Sequence, residues 1–416
     1  MTGILKRSLS FLFFFFASQQ IAHGENPKLI WQPEGSDSQR STDSQAVDFD
    51  GDGVVGFSDF LLFARSFNAS QGDAAYDARM DLNGDGTVNF PDFVSFSAAY
   101  GAPSGAATSS RYVIYALDPL LGGMAVIDSE SHLLSDYLRF RGPTGMAVSA
   151  SERAIYVSEG FGLFAIDANH EALFSVPTES QGRVVLSPDE RFAYVTEERH
   201  DRLVVLDLVA RVPVDTISVG ERPIDVAITP DGKRLYVANA VSRDISIIDV
   251  DRGENVGDII IGAVPGEIGI TKDGERAFVT NVDRGVVSVL DLDLDQVAGG
   301  IQLSGDSARG LAFSPDGETL YVASTGTGAG GFLVTIDVQR NLISGRLRVG
   351  DAASTIGVAP DGTRIYIGTL VLDGGGPGLS AVDLEDGRVM GRLLGIDFIA
   401  QFAFRTVSQS QSGQEN

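Results

Sequence analysis

The sequence predicts an all-β, seven-bladed β-propeller preceded by a small α-helical pair. Three observations carry this. A strand landmark, an aromatic residue flanked by aliphatics, recurs at Tyr156, Tyr194, Tyr236, Phe278, Tyr321 and Tyr366, a spacing of 38 to 45 residues. Seven segments end in an aliphatic residue followed by aspartate, at Asp128, Asp167, Asp207, Asp249, Asp291, Asp337 and Asp383. Upstream, two acidic loops repeat, each followed by aromatics at three- and four-residue spacing.

The unit at 223–262 shows what repeats. Short runs rich in Val, Ile and Tyr alternate with Gly, Pro, Asp and Asn, the pattern of strands joined by tight turns. Four strands fit in the unit, and one such sheet cannot bury both faces alone. A period near forty with four strands per unit is the signature of propeller blades, and residues 111–406 divide into seven units of about 42. The array opens with a second-type strand over 112–117 and closes with a lone first-type strand over 398–404. Joining them completes one blade from both ends of the array and removes the free sheet edges that invite aggregation.

The residues Tyr236-Val237-Ala238-Asn239 and Phe278-Val279-Thr280-Asn281, with Pro-Asp-Gly turns at Asp231, Asp316 and Asp361, resemble the YVTN family of extracytoplasmic β-propeller repeats. The resemblance covers about seven-tenths of the chain. It implies a propeller whose relatives include lactonases, quinone-dependent dehydrogenases, surface-layer modules and binding proteins, so it specifies fold more than function.

Ahead of the array the chain reads in order. Lys6 and Arg7 precede an apolar run over 9–17, and Ala22-His23-Gly24 offers small residues where a signal peptidase reads. Residues 1–24 are thus expected to be a secretory signal, since the run is half the ~20 residues a membrane-spanning helix needs. Residues 25–45 read as a flexible polar leader, 46–102 as a compact calcium module, 103–110 as a Gly/Ala/Ser/Pro linker, and 407–416 as a polar tail. The localisation expected is secreted: extracellular, periplasmic or attached to the cell surface.

Composition sets outer limits. The chain has 416 residues, 43% of them apolar, and a formal charge of −25. Such a charge repels phosphates and favours cations, so nucleic acid is not an expected partner. With no cysteine, disulfides, thiolate metal sites and cysteine nucleophiles are excluded.

The acidic loops carry the sharpest chemistry. In the first, Asp48, Asp50, Asp52 and Asp59 occupy positions 1, 3, 5 and 12 around Gly53 at position 6; in the second, Asp81, Asn83, Asp85 and Asp92 do so around Gly86. This EF-hand-type spacing wraps a hard cation in oxygen ligands, with the carbonyls of Val54 and Thr87 completing position 7. Position 9 is Asn89 in the second loop and Gly56 in the first. Two calcium ions are expected. Phe57/Phe90, Phe60/Phe93, Phe63/Phe96 and Phe67/Tyr100 correspond between the units, so each loop should lead into an amphipathic helix, and the two aromatic faces should pack together.

A doubled loop–helix unit without a helix before the first loop, and with Asp at position 12, resembles dockerin. That resemblance implies docking to a cohesin-like protein partner. At positions 10 and 11, polar residues often used for that contact are replaced by Phe57-Ser58 and Phe90-Pro91. A self-contained calcium module packing on the propeller is the alternative.

Catalytic signals in the propeller are sparse. His132 and His170 follow third strands, opposite the face built by loops at 159–162, 197–202, 239–244, 281–285, 324–331 and 368–378. His200, in Glu197-Glu198-Arg199-His200-Asp201-Arg202, lies on that face, but no carboxylate can be placed opposite it from sequence, so a solvated loop is expected. The Pro-Asp-Gly aspartates and strand-end aspartates are assigned to turns, and no catalytic or cofactor-binding residue is assigned. The expected function is a secreted, calcium-binding, non-catalytic platform for a protein or glycan. The alternative is a secreted propeller enzyme, lactonase or quinone-dependent dehydrogenase in type, held on a polysaccharide-degrading scaffold through cohesin.

Overall fold

The computed structural model describes residues 30–33, 47, 49–50, 57–73, 75–98, 111–303, 307–326, 330–370, 378–394, 396 and 398–407. The expected signal segment, the linker and the tail beyond Val407 lie outside these residues. The chain divides into two compact units, a propeller and a small module over 35–111.

The propeller has seven sheets. Blade one joins Gln401–Thr406 to Tyr112–Asp118, Gly123–Asp128 and Leu134–Arg139. Blades two to seven begin at the innermost strands Gly145–Val148, Val184–Leu186, Pro223–Ile228, Pro265–Ile270, Ser307–Phe313 and Ala352–Val358, and each runs outward as a meander. Because a blade is covered on both faces by its neighbours, its second and third strands are buried along nearly their whole length, as in Arg234–Asn239 and Asp244–Asp249. That is why they read as unbroken apolar runs instead of alternating ones. The outer strand, such as Glu254–Ile260, alternates with solvent. In every blade the third and fourth strands slip register near the end of the third strand, for example between Ile247 and Ile248 or Val126 and Ile127, and blade six slips a second time between Gly331 and Phe332. A bulge adds local twist to the strand that carries it.

The ring closes as the sequence predicts. Tyr112 pairs with Thr406 and Leu117 with Gln401, so the closing strand begins three residues later than expected. Register also places Tyr115, opposite Ala403 and Val126, where Tyr236 stands opposite Ala227 and Ile247. The seam is reinforced from blade seven. Tyr112 and Tyr366 share a hydroxyl–hydroxyl hydrogen bond of 3.1 Å, and Arg364 donates to the Ser129 carbonyl at 2.7 Å. Arg234 and Arg276, at the same register position, reach the next blade likewise, to Asp295 and to the Val338 carbonyl.

One expectation needs correction. Within the leader, Ile30–Pro33 form a strand antiparallel to Arg388–Leu394, making blade seven five-stranded. The short Leu29-Ile30-Trp31 run supplies β-forming residues, and the outer edge of blade seven offers them unpaired backbone groups.

In the small unit, helix α1 spans Phe57–Ser66 and helix α2 spans Phe90–Ala98. Their aromatic faces pack together: Phe63 and Phe96 stack at 5.3 Å, Phe60 meets Phe93 edge-on at 6.4 Å, and Phe49 stacks on Phe96 at 5.9 Å. Val47, Met80 and Val88 complete this core.

Candidate functional site

The second acidic loop is wrapped around its own carboxylates. Asp81 accepts from the backbone N–H groups of Asp85 at 3.1 Å and Gly86 at 2.8 Å; Asn83 accepts from Asp85 N–H at 2.9 Å; Asp85 accepts from Thr87 N–H at 2.9 Å. The chain turns back through Gly84 and Gly86, with φ of 72° and 87°, a region where a side chain would be strained. Asp92 is fully buried and fixes the loop base, one oxygen accepting from Leu82 and Asn83 N–H and the other from Asn89 N–H. Beyond the loop, Val88 exchanges backbone hydrogen bonds with the segment after α1, donating to Ala69 and accepting from Asn68.

Asp59 repeats this in the first loop. It is fully buried and accepts from Phe49 N–H at 2.6 Å and Asp50 N–H at 3.1 Å, the positions equivalent to Leu82 and Asn83. Asp48, Asp52 and Val54 lie outside the described residues. The donor set is all oxygen, from carboxylates, an amide and a carbonyl, and it suits a hard divalent cation better than a soft one. Within the loop, the Tyr76 hydroxyl, donating to Asp81 at 2.7 Å, is pushed up by that carboxylate, while hydrogen bonds from Thr87 and Asn83 hold the Asp85 carboxyl below its ordinary range.

The axis of the propeller holds a second constellation that was not anticipated. A cavity of about 750 Å³ runs between the innermost strands of all seven blades. One register position, two residues before the partner of the landmark aromatic, carries Gly145, Arg183, Asp225, Glu267, Gly310, Thr355 and Gln401. Three of these side chains latch onto the next blade: Asp225 accepts from Ile268 N–H at 2.8 Å, Glu267 from Leu311 N–H at 3.0 Å, and Gln401 from Met146 N–H at 2.8 Å. At Gly145 and Gly310 a Cβ would lie within 3 Å of the neighbouring blade's backbone, so those blades approach too closely for a side chain.

Arg183 cannot accept. It crosses blade four to donate to Glu267 at 3.0 Å and lies 4.0 Å from Asp225. Burial pushes both carboxyls up, Glu267 to about 7, with Arg183 opposing the rise and the Asp225 charge adding to it. Aligning the repeats on their turns exposes this triad in the sequence: each member lies five residues before Pro188, Pro230 or Lys272.

His200 is less solitary than expected. Glu197 Oε2 lies 3.3 Å from its Nδ1, and Glu179, supplied by the preceding blade connection, lies 3.9 Å from its Nε2. Among the described residues, Glu179, Glu197 and His200 are the one group of three whose donor atoms converge closely enough to hold a metal. Arg202 already fills that position, donating to Glu197 at 2.6 Å and Glu179 at 2.7 Å, while the buried Glu197 accepts the N–H groups of Glu179 and Ser180. The cluster therefore works as a loop brace. His132 and His170 pack between blades, against Tyr366 and Tyr115; burial lowers His132 to about 4.

Comparison with known proteins agrees with both units. Residues 46–95 match the family model of the dockerin type I domain, and residues 165–259 match that of the lactonase, 7-bladed beta-propeller. No curated protein matches the chain significantly. Several solved structures share the fold. A functionally unknown protein from Desulfotomaculum acetoxidans DSM 771 is 17% identical, with a TM-score of 0.61 over 71% of this chain and 99% of that one. Hydrazine synthase of Kuenenia stuttgartiensis is 21% identical, with a TM-score of 0.53 over 59% and 77%. The dihydro-heme d1 dehydrogenase NirN is 18% identical, with a TM-score of 0.53 over 71% and 75%. At these identities the likeness is one of fold. Dockerin type I domains bind calcium, which the oxygen donors of the acidic loops fit. Among the described residues no helix is long and apolar enough to cross a membrane. The chain thus joins a dockerin type I domain to a seven-bladed β-propeller.

Proposed function

We propose that this is a secreted, non-catalytic binding protein in which a dockerin loaded with two calcium ions attaches the chain to a cohesin-type partner. The propeller then presents a loop-built face to a protein or glycan. The observation that carries the reading is the repeated arrangement of Asp59 and Asp92, each buried and each gathering the N–H groups of its own loop, within the segment that matches dockerin. The ligands are Asp48, Asp50, Asp52, the Val54 carbonyl and Asp59 for one ion, and Asp81, Asn83, Asp85, the Thr87 carbonyl and Asp92 for the other. Phe90, 65% exposed at the start of α2, stands where dockerins often place a polar recognition residue, and it supports an apolar contact with the partner. Export is supported by the charged, apolar and small-residue pattern over 1–24.

The test is binding of the full chain to an immobilised panel of type I cohesins, in calcium and in chelator. Capture by at least one cohesin in calcium, lost in chelator and weakened by Phe90→Asp, is expected. Capture unaffected by chelator, or none across the panel, counts against the docking reading.

A second reading is an enzyme acting in the axial channel on a lactone or, with a quinone cofactor, as a dehydrogenase. It is favoured by the lactonase match over 165–259, which contains Arg183 and Asp225. Turnover of a lactone or of a quinone-linked substrate that disappears in Glu267→Gln would replace the non-catalytic reading.

A further inference from the structure

The latch that joins the innermost strands does not need charge. Gln401 does for blade two what Asp225 does for blade five and Glu267 for blade six, with a neutral amide oxygen at a comparable distance. Buried ion pairs seldom add stability over neutral groups of similar shape, because desolvation offsets the attraction. Charge at 225 and 267 therefore calls for another explanation. Each carboxylate commits one oxygen to its latch and turns the other toward Arg183. Once both carboxyls are ionised, above the Glu267 value of about 7, two carboxylates against one guanidinium leave the cluster one negative charge in excess. The three side chains retain 15–20% exposure to the cavity, so a solute in the channel reaches them.

The remaining wall is mixed: the edges of Val226, Ile268, Leu311 and Ile356, each mostly buried between blades, stand beside Ser187, Thr229, Thr355 and Gln401. A metal ion suits this site poorly, since the described residues bring no third carboxylate or imidazole into ligating reach there. An anion is repelled by the excess charge. A compact ammonium on a short apolar stem answers the charge, and the stem can lie against the aliphatic part of the wall.

We propose that the axial channel binds a small primary amine, its ammonium seated between Asp225 and Glu267 and its aliphatic stem along the channel wall. This goes beyond docking and does not depend on it: the amine site lies in the propeller, and its failure would leave the calcium and cohesin results untouched.

The test is titration of the full chain at about pH 8.5, where Glu267 is ionised and the amine still charged, with n-hexylamine, and with n-hexanol and hexanoate as neutral and anionic counterparts, read by calorimetry. Asp225→Asn and Glu267→Gln keep an oxygen for the Ile268 and Leu311 amides and so preserve the latch. One equivalent of hexylamine is expected to bind at least about tenfold more tightly than either counterpart, the scale of one charge-assisted hydrogen bond. Each variant should lose about tenfold in affinity for the amine while its weak affinity for hexanol stays the same. The proposal is overturned if hexylamine binds no better than hexanol, if no heat is seen up to about 10 mM, or if the double variant binds the amine like the wild type. The amine-against-alcohol comparison needs only the wild type, so it decides the matter even where a variant fails to fold.

Discussion

Arg183 and Glu267, on blades three and five, meet at 3.0 Å over the blade between them, beside Asp225. The contact sets charge into the wall of the channel, and the burial of Glu267 there makes the stability of the propeller depend on pH. The folded-state carboxyl of Glu267 is raised to about 7 from an ordinary 4.5, chiefly by burial. Between those values the folded protein holds a proton that the unfolded chain has released, so stability falls as pH rises through this window and is level above it. The contribution is on the order of 1–3 kcal/mol, a shift of a few degrees in melting temperature. Glu267→Gln should flatten that part of the melting profile between pH 4.5 and 7. A slope identical to wild type would show that Glu267 titrates normally.

Closure of the ring gives a second prediction. Deleting the chain from Gln401 onward removes the partner of Tyr112–Asp118 and strips Phe402 from the core where blades seven and one meet. The exposed edge of Tyr112–Asp118 then becomes a template for association. The truncated chain should melt at least about 10 °C lower and elute as aggregates, a loss beyond about 4 kcal/mol. Tyr112→Phe is the mild counterpart: it leaves the Tyr366 hydroxyl without this partner and should cost about 1–2 kcal/mol.

The aromatic stack of the small unit gives a third. Phe63 and Phe96 are each 1% exposed and meet face to face. Phe63→Ala should cost about 3–5 kcal/mol, close to all the stability that so small a unit commands. Calorimetry should show the calcium-dependent transition lost or displaced to higher calcium concentrations.

Asp92 separates charge from shape. Asp92→Ala strands three N–H donors and should cost about 3 kcal/mol or more, with calcium uptake by the second loop lost. Asp92→Asn keeps acceptor capacity but not the charge, so it should fold and bind calcium far more weakly. Equal calcium affinity in Asp92→Asn and wild type would remove Asp92 from the ligand set.

How much of this was legible in the sequence follows from periodicity. Blades announce themselves because Tyr236 and its equivalents must each fill the same space between neighbouring sheets, and the two acidic loops because cation wrapping fixes both spacing and residue type. The channel triad escaped notice because Arg183, Asp225 and Glu267 differ in chemistry while sharing a register position, and only pairing with the landmark strand puts them side by side. Glu179 escaped for a related reason: it meets His200 through a connection between blades, a contact that no local pattern encodes. Strand Ile30–Pro33 was hidden because its partner, Arg388–Leu394, stands at the far end of the chain.

The most direct test of the account is the calcium stoichiometry of the full chain, measured by titration calorimetry after exhaustive chelation. Two ions per chain are predicted, falling to one in Asp81→Ala and to none when Asp48→Ala is added. Fewer than two ions in the wild type, or two ions retained in the double variant, would contradict it.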